Sequence, residues 1–134
     1  MTPVTVYLEH NKMAKHIEFG KEAETRAAKF LENKNYKILK RNWRFLKAEI
    51  DIIAEDLNKN ELVIVEVKAR NYDAISEPHE AVTKAKRKLI FTAADHYIVS
   101  NEIEIEARFD IIEVIRTEED WKINHVESAF LSFE

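Results

Sequence analysis

Cysteine is absent from this chain, which excludes disulfides, thiolate zinc sites and cysteine nucleophiles together. Glycine occurs once, at Gly20, so no glycine-rich phosphate loop can form. Some of the positions that need a positive φ are expected to fall to Asn33, Asn35, Asn58, Asn60 and Asn71, because asparagine visits that region more easily than most residues. Proline is nearly as scarce, and no Gly/Ser/Pro linker, repeat or low-complexity segment divides the chain. No run of eighteen apolar residues is present, so no membrane span is expected. The first residues, Met1 to Leu8, lack a basic leader and a long apolar stretch, which argues against a signal peptide and for a cytoplasmic location. The five histidines show no zinc-type spacing and are expected on the surface or on helices.

What remains is an ordinary soluble composition, 46% hydrophobic and 34% charged, in 134 residues, enough for one core but not two. We expect an N-terminal extension over 1–17, with Val4 to Leu8 an added edge strand or a loose arm, and a single domain over 18–134. The net charge of −4 is unevenly spread. Lys34, Lys37, Lys40, Arg41, Arg44 and Lys47 form one basic run, Lys84, Lys86, Arg87 and Lys88 another, and acidic residues dominate after Asn101. Such patches either contact phosphate or merely solvate a helix and an edge strand.

Helical spacing of Phe19, Ala23, Ala27, Phe30 and Leu31 predicts an amphipathic helix from about Glu18 to Asn33, with Glu24 at the edge of its apolar stripe. A strand over Tyr36 to Arg44 and two more strands follow. A second helix is predicted from about Pro78 to Val99, capped by Ser76 and striped by Val82, Ala85, Leu89, Ala93 and Tyr97. Arg108 to Ile115 and Trp121 to Val126 read as further strands, giving the order αβββαββ. A strand, a long helix and a strand make a crossover unit, so the Arg108 strand should run parallel to the Leu62 to Ala69 strand in a mixed sheet covered by helices.

Charge inside two apolar strands singles out the segment Ala48-Glu49-Ile50-Asp51-Ile52-Ile53-Ala54 and its partner Leu62-Val63-Ile64-Val65-Glu66-Val67-Lys68-Ala69-Arg70. Alternation puts Glu49, Asp51 and Ile53 on one face, and Ile50, Ile52 and Ala54 on the other. In the second strand Glu66 and Lys68 share a face with Ile64. The loop between them is rich in Asn and Asp, so a hairpin centred between Asn58 and Lys59 is the simplest pairing. Asp51 then lies opposite Glu66, and Glu49 opposite Lys68. Two facing carboxylates repel, and more so when partly desolvated. A divalent cation with oxygen ligands would compensate, leaving positions open for phosphate, and Lys68 could stabilise charge or position a water. The plainer alternative is an exposed face on which Glu49 pairs with Lys68. Arg108 and Asp110 share a strand face and are read as a structural salt bridge, Phe109, Ala129 and Phe130 as packing, and Trp43 as a half-buried strand aromatic.

A helix with an inward glutamate, a hairpin bearing Asp then Glu-x-Lys, and a basic crossover helix resemble the PD-(D/E)XK, or restriction-endonuclease-like, core. More closely, the chain resembles the small bacterial YraN family of predicted endonucleases, which is similar in fold to archaeal Holliday-junction resolvases. The matching stretches run in the family's order from Gly20-Lys21-Glu22-Ala23-Glu24 through Tyr36-Lys37-Ile38-Leu39 with Asn42-Trp43-Arg44, both hairpin strands, Ala81-Val82-Thr83 with Lys86, and Arg108-Phe109-Asp110 to Ala129-Phe130. The resemblance implies an αβββαβ core with an added C-terminal strand. It implies that Asp51 and Glu66 bind Mg²⁺ or Mn²⁺ with the Val67 carbonyl as a further ligand, that Glu24 assists, and that Lys68 activates the water. Glu49 becomes an acidic accessory, and Arg70 and Lys86 phosphate contacts, to which the basic runs add Arg44, Lys84, Arg87 and Lys88. Three positions depart from the pattern: Ala23 and Ala48 stand where glycine is usual, and Arg87 where a glutamine usually follows the helix lysine.

The leading expectation is therefore a Mg²⁺-dependent nuclease that hydrolyses DNA, including branched or abnormal structures. The alternatives are a nucleic-acid-binding module that keeps the fold but cuts little, and an adaptor that binds protein through a sheet edge or the acidic C-terminal region. Homodimerisation, which resolvase-like enzymes use for symmetric cutting, is left open.

Overall fold

The computed structural model describes the backbone of residues 3–71 and 82–130, and the side chains among them from residue 12 onward. Helix α1 (Pro3–Asn33) leads into three antiparallel strands, β1 (Tyr36–Phe45), β2 (Ala48–Asp56) and β3 (Glu61–Asn71). Helix α2 (Lys84–Ser100) then crosses to β4 (Ala107–Arg116), and β5 (Trp121–Phe130) completes a five-stranded sheet in the order β1-β2-β3-β4-β5. The crossover makes β3 and β4 parallel, from Leu62↔Ala107 to Asn71↔Arg116, as the strand-helix-strand pattern requires. No described helix is long and apolar enough to cross a membrane.

Each helix seals one face of the sheet. On the first face Ala23, Ala27, Ala28 and Leu31 of α1 pack on Ile52, Ala54, Val63, Val65, Ile112 and Val114. The alanines leave no bulk between helix and strands. On the second, Ile90, Ala93, Ala94 and Tyr97 of α2 cover Ile50, Ile53, Leu62, Ile64, Phe109 and Phe130. From Ile52 to Ala54 and from Leu62 to Val65, β2 and β3 are thus apolar on both faces rather than charged along one whole face, and their charges flank this stretch, Asp56 and Glu61 at the turn and Asp51, Glu66 and Lys68 at the other end. Phe109 and Phe130 stack at 5.4 Å, and Trp43 packs among Phe45, His96 and Tyr97.

Several sequence expectations need correction. The backbone is already helical from Pro3, so Val4 to Leu8 is neither a strand nor a loose arm. Helix α2 starts at Lys84, capped by the Thr83 side chain, which accepts the Lys86 N–H at 3.1 Å. Val82 precedes the helix, and Ser76 and Pro78 lie outside the described residues. Val82, Ala93 and Tyr97 are buried as the stripe predicts, but Ala85 and Leu89 are exposed and Ile90 and Ala94 are buried in their stead. Positive φ angles fall at Asn35 and Asn60 as expected, but also at Asn42, Leu46, Glu102 and Ser128 and not at Asn33, Asn58 or Asn71.

At the turn end of the hairpin one guanidinium joins all five strands. Arg108 of β4 donates to Asp56 of β2 and Glu61 of β3, both at 2.9 Å, to Asp110 of its own strand at 3.1 Å, to Tyr36 of β1, and to Glu127 of β5 at 3.3 Å. Arg108, Asp56 and Asp110 are buried. Asp110 also accepts the Ser128 N–H at 3.0 Å and lies 2.7 Å from His125 Nε2. His125 is therefore a buried partner of a carboxylate, not a surface histidine.

Candidate active site

The predicted hairpin register is present, with pairs running from Asp56↔Glu61 to Ile52↔Val65. Its next rung would be Asp51 against Glu66, and there the ladder stops. Asp51 instead reaches across the gap, its Oδ2 accepting the Val67 N–H at 2.8 Å. On the other side β1 and β2 pair at Arg41↔Ile52 and Trp43↔Ile50, while Asn42 between them takes φ 50°. The distortion shifts strand parity. Ile50 belongs to the α2 face and Ile52 to the α1 face, so the strict alternation that put them together fails at Asp51.

This break sets Asp51 between two openings. One, of about 240 Å³, lies under the start of α2 and is bordered by Lys47, Glu49, Asp51, Glu66, Lys86 and Leu89. The other, of about 270 Å³, lies beside α1 and is bordered by Gly20, Lys21, Glu24, Asn42, Asp51 and Val67. Burial, reinforced by the Glu66 charge, pushes the Asp51 carboxyl up to about 7 against the pull of the Val67 N–H. Glu66 is buried, and its Oε1 receives the ammonium of Lys86. Partial burial works against the Lys86 charge, but Glu66 outweighs it and holds the ammonium above its ordinary value.

Glu24 approaches Asp51 from α1. Burial raises its carboxyl, opposed by Arg41 and Asn42. Arg41 Nε stands 3.5 Å from Glu24 Oε1, which is buried without a hydrogen bond to any described group. Glu49 pairs with Arg44 at 3.3 Å, contradicting the expected Glu49–Lys68 pairing, because the two strands have separated before that rung. Lys68 stands two residues beyond Glu66, partly exposed and opposite Glu113 of β4. Arg70 lies 3.9 Å from Glu113. Lys84 and Lys88 are exposed on the first turns of α2, and Arg87 is half-buried with partners of its own.

Sequence reasoning missed Lys47 and Lys21 as lining residues, the Asp51–Val67 bond, the Lys86–Glu66 pair and the role of Asn42. An asparagine inside a strand was the available signal for the last, since it tolerates the left-handed backbone that interrupts pairing opposite Asp51.

A divalent oxygen-seeking cation can be tested against this donor set. Among the described residues no three His, Cys, Asp or Glu side chains gather closely enough to cage an ion by themselves. Mg²⁺ needs less, since it keeps several waters and takes one or two carboxylates. Asp51 and Glu66 border the same cavity and repel one another, and Asp51 shares the opening beside α1 with Glu24, whose Oε1 makes no hydrogen bond among the described residues. The residues present therefore fit such an ion.

A mixed sheet sealed by two helices, with a β3-α2-β4 crossover and acidic residues at a break in the central hairpin, is a restriction-endonuclease-like α/β core. The model of Uncharacterised protein family UPF0102 matches residues 23–114, and the chain belongs to that family, which is the YraN family. It is 46% identical over 121 residues to a UPF0102 protein of Flavobacterium psychrophilum, covering 90% of this chain and 100% of that one. Identity is 44% over 118 residues with a UPF0102 protein of Bacteroides thetaiotaomicron, and 42% over 118 residues with one of Phocaeicola vulgatus. Each of these two alignments covers 88% of this chain and 96% of the relative.

Proposed function

We propose that the protein is a cytoplasmic, metal-dependent nuclease that hydrolyses phosphodiester bonds in DNA, with branched or otherwise abnormal structures as its substrates. The observation that carries this reading is the pair of adjacent carboxylates, Asp51 and Glu66, held in a cavity at the break in the hairpin. Folding brings these two charges together at a cost, and such clusters are common where a protein must hold a cation or handle protons. Asp51 and Glu66 would hold Mg²⁺ or Mn²⁺, with the Val67 carbonyl and Glu24 assisting. When bound, the ion supplies Lewis-acid charge beside the phosphate and lowers the pKa of a water.

The chain's own residues do the rest. Lys68 orients the attacking water and stabilises charge developing on the phosphate oxygens. Arg44, Arg70, Lys84, Lys86, Arg87 and Lys88 supply positive charge to neighbouring phosphates, so that binding weakens steeply with salt. Glu49, paired with Arg44, is an accessory acid at the rim.

A second reading, a nucleic-acid-binding module with little cutting, is favoured by one observation: Lys86 already neutralises Glu66. The two readings separate on labelled branched, single-stranded and duplex DNA incubated with Mg²⁺ or Mn²⁺. Cleavage lost in Asp51→Asn and Glu66→Gln supports the nuclease; salt-sensitive binding without metal-dependent turnover supports the module.

A further inference from the structure

Lys86 is the third residue of α2, and the helix beneath it is fixed. Thr83 caps it, and Ile90, one turn further on, is buried in the core. The two halves of the Lys86–Glu66 pair differ in their surroundings. The Glu66 side chain is 7% exposed and cannot leave for solvent, whereas the Lys86 side chain is 45% exposed on a flexible four-carbon stem. Other basic groups nearby have different carboxylates: Arg44 holds Glu49, Arg41 stands beside Glu24, and Arg70 beside Glu113. Among the described residues, Lys86 is the cation paired with Glu66, the buried carboxylate that borders the cavity with Asp51.

A carboxylate that already receives an ammonium can accept a divalent ion only by giving that ammonium up or by tolerating two cations in contact, which repel. The ammonium needs a new anion when it leaves, and a phosphodiester at the cavity mouth supplies one. We propose that Lys86 is a displaceable counter-cation of Glu66. It competes with the divalent ion for that carboxylate and is taken up by nucleic-acid phosphate when released, so that metal and nucleic acid each strengthen the binding of the other. This inference rests on the nuclease reading of the site. Coupling of this kind is reciprocal: whatever factor DNA adds to metal affinity, metal adds to DNA affinity.

The test is calorimetric titration of Mn²⁺ into the full-length chain, alone and with a hydrolysis-resistant phosphorothioate DNA junction, for wild type, Lys86→Met, Lys86→Arg and Asp51→Asn. Circular dichroism checks that each variant is folded. Wild type binds Mn²⁺ at least about fivefold more tightly with DNA present. Lys86→Met binds Mn²⁺ at least about fivefold more tightly than wild type without DNA, and DNA adds little further. Lys86→Arg keeps the wild-type coupling. Mn²⁺ affinity that is lost in Asp51→Asn but unchanged or weakened in Lys86→Met overturns the inference and leaves the nuclease reading standing. No Mn²⁺ binding by any of the folded proteins, with or without DNA, overturns both.

Discussion

Asp51 accepts the Val67 amide hydrogen at 2.8 Å at the point where β2 and β3 stop pairing, so a side chain takes over from the backbone ladder. The bond pins one carboxylate oxygen and brings its charge beside Glu66. The expense of that arrangement is visible in Asp51, whose carboxyl is pushed up to about 7 by burial and by Glu66.

A pH-dependent cost follows. Because the folded protein disfavours ionised Asp51, that group costs nothing below its ordinary value near 4 and an increasing amount as pH rises toward 7. Asp51→Asn keeps an acceptor for Val67 and removes the charge. The variant is expected to match wild type in denaturant unfolding at pH 4 and to exceed it at pH 8 by roughly 2–4 kcal/mol. Equal stability at both pH values would contradict this.

Arg108 is the opposite case, a buried charge whose partners are all in place. Arg108→Met strands Asp56 and Asp110 and should cost about 3–5 kcal/mol, because removing one member of a buried network leaves the others uncompensated. Arg108→Lys should recover only part of that loss, since one ammonium cannot reach partners on all five strands. Urea melts of the three proteins decide the matter.

Gly20 lies inside α1, and a Cβ placed on it would meet no atom within 4 Å. Gly20→Ala is expected to stabilise the protein by about 0.5–1 kcal/mol through lower unfolded-state freedom and better helix propensity. A fall in melting temperature would mean that something else depends on the open space.

The exposed lysines of α2 give a prediction about binding. Replacing Lys84 and Lys88 together with alanine should weaken DNA binding to a similar extent across sequences and reduce the slope of log affinity against log salt by about two. Fluorescence anisotropy at several salt concentrations measures both. An unchanged slope would remove these lysines from the contact surface.

Much of the fold was legible because its signals are local. The Asn- and Asp-rich loop after Asp56 set the hairpin register, and Asp56 Oδ1 indeed accepts the N–H groups of Asn58 and Lys59 there. Alanine spacing on α1 and the strand-helix-strand order were equally readable. Illegible features depend on distant partners. The face switch between Ile50 and Ile52 accompanies the Asn42 backbone on a neighbouring strand. His125 is buried because Asp110, fifteen residues earlier, receives it. The stripe of α2 was read in part: Val82, Ala93 and Tyr97 are buried as expected, whereas Ile90 and Ala94 are buried where Ala85 and Leu89 were expected, because the helix begins only after Val82 and the spacing from Val82 does not carry into it. At the candidate site, Asp51 and Glu66 stood out as charges within apolar strands, whereas the Lys86–Glu66 pair joins residues twenty apart through a long side chain and left no pattern.

The most direct measurement is single-turnover cleavage of a labelled branched DNA by wild type and by Glu66→Gln, each with Mn²⁺ and with a chelator. The account predicts cleavage by wild type with Mn²⁺ alone, and a rate at least about a hundredfold lower in Glu66→Gln despite retained DNA binding. Equal cleavage by the two proteins, or cleavage that persists in the chelator, would contradict it.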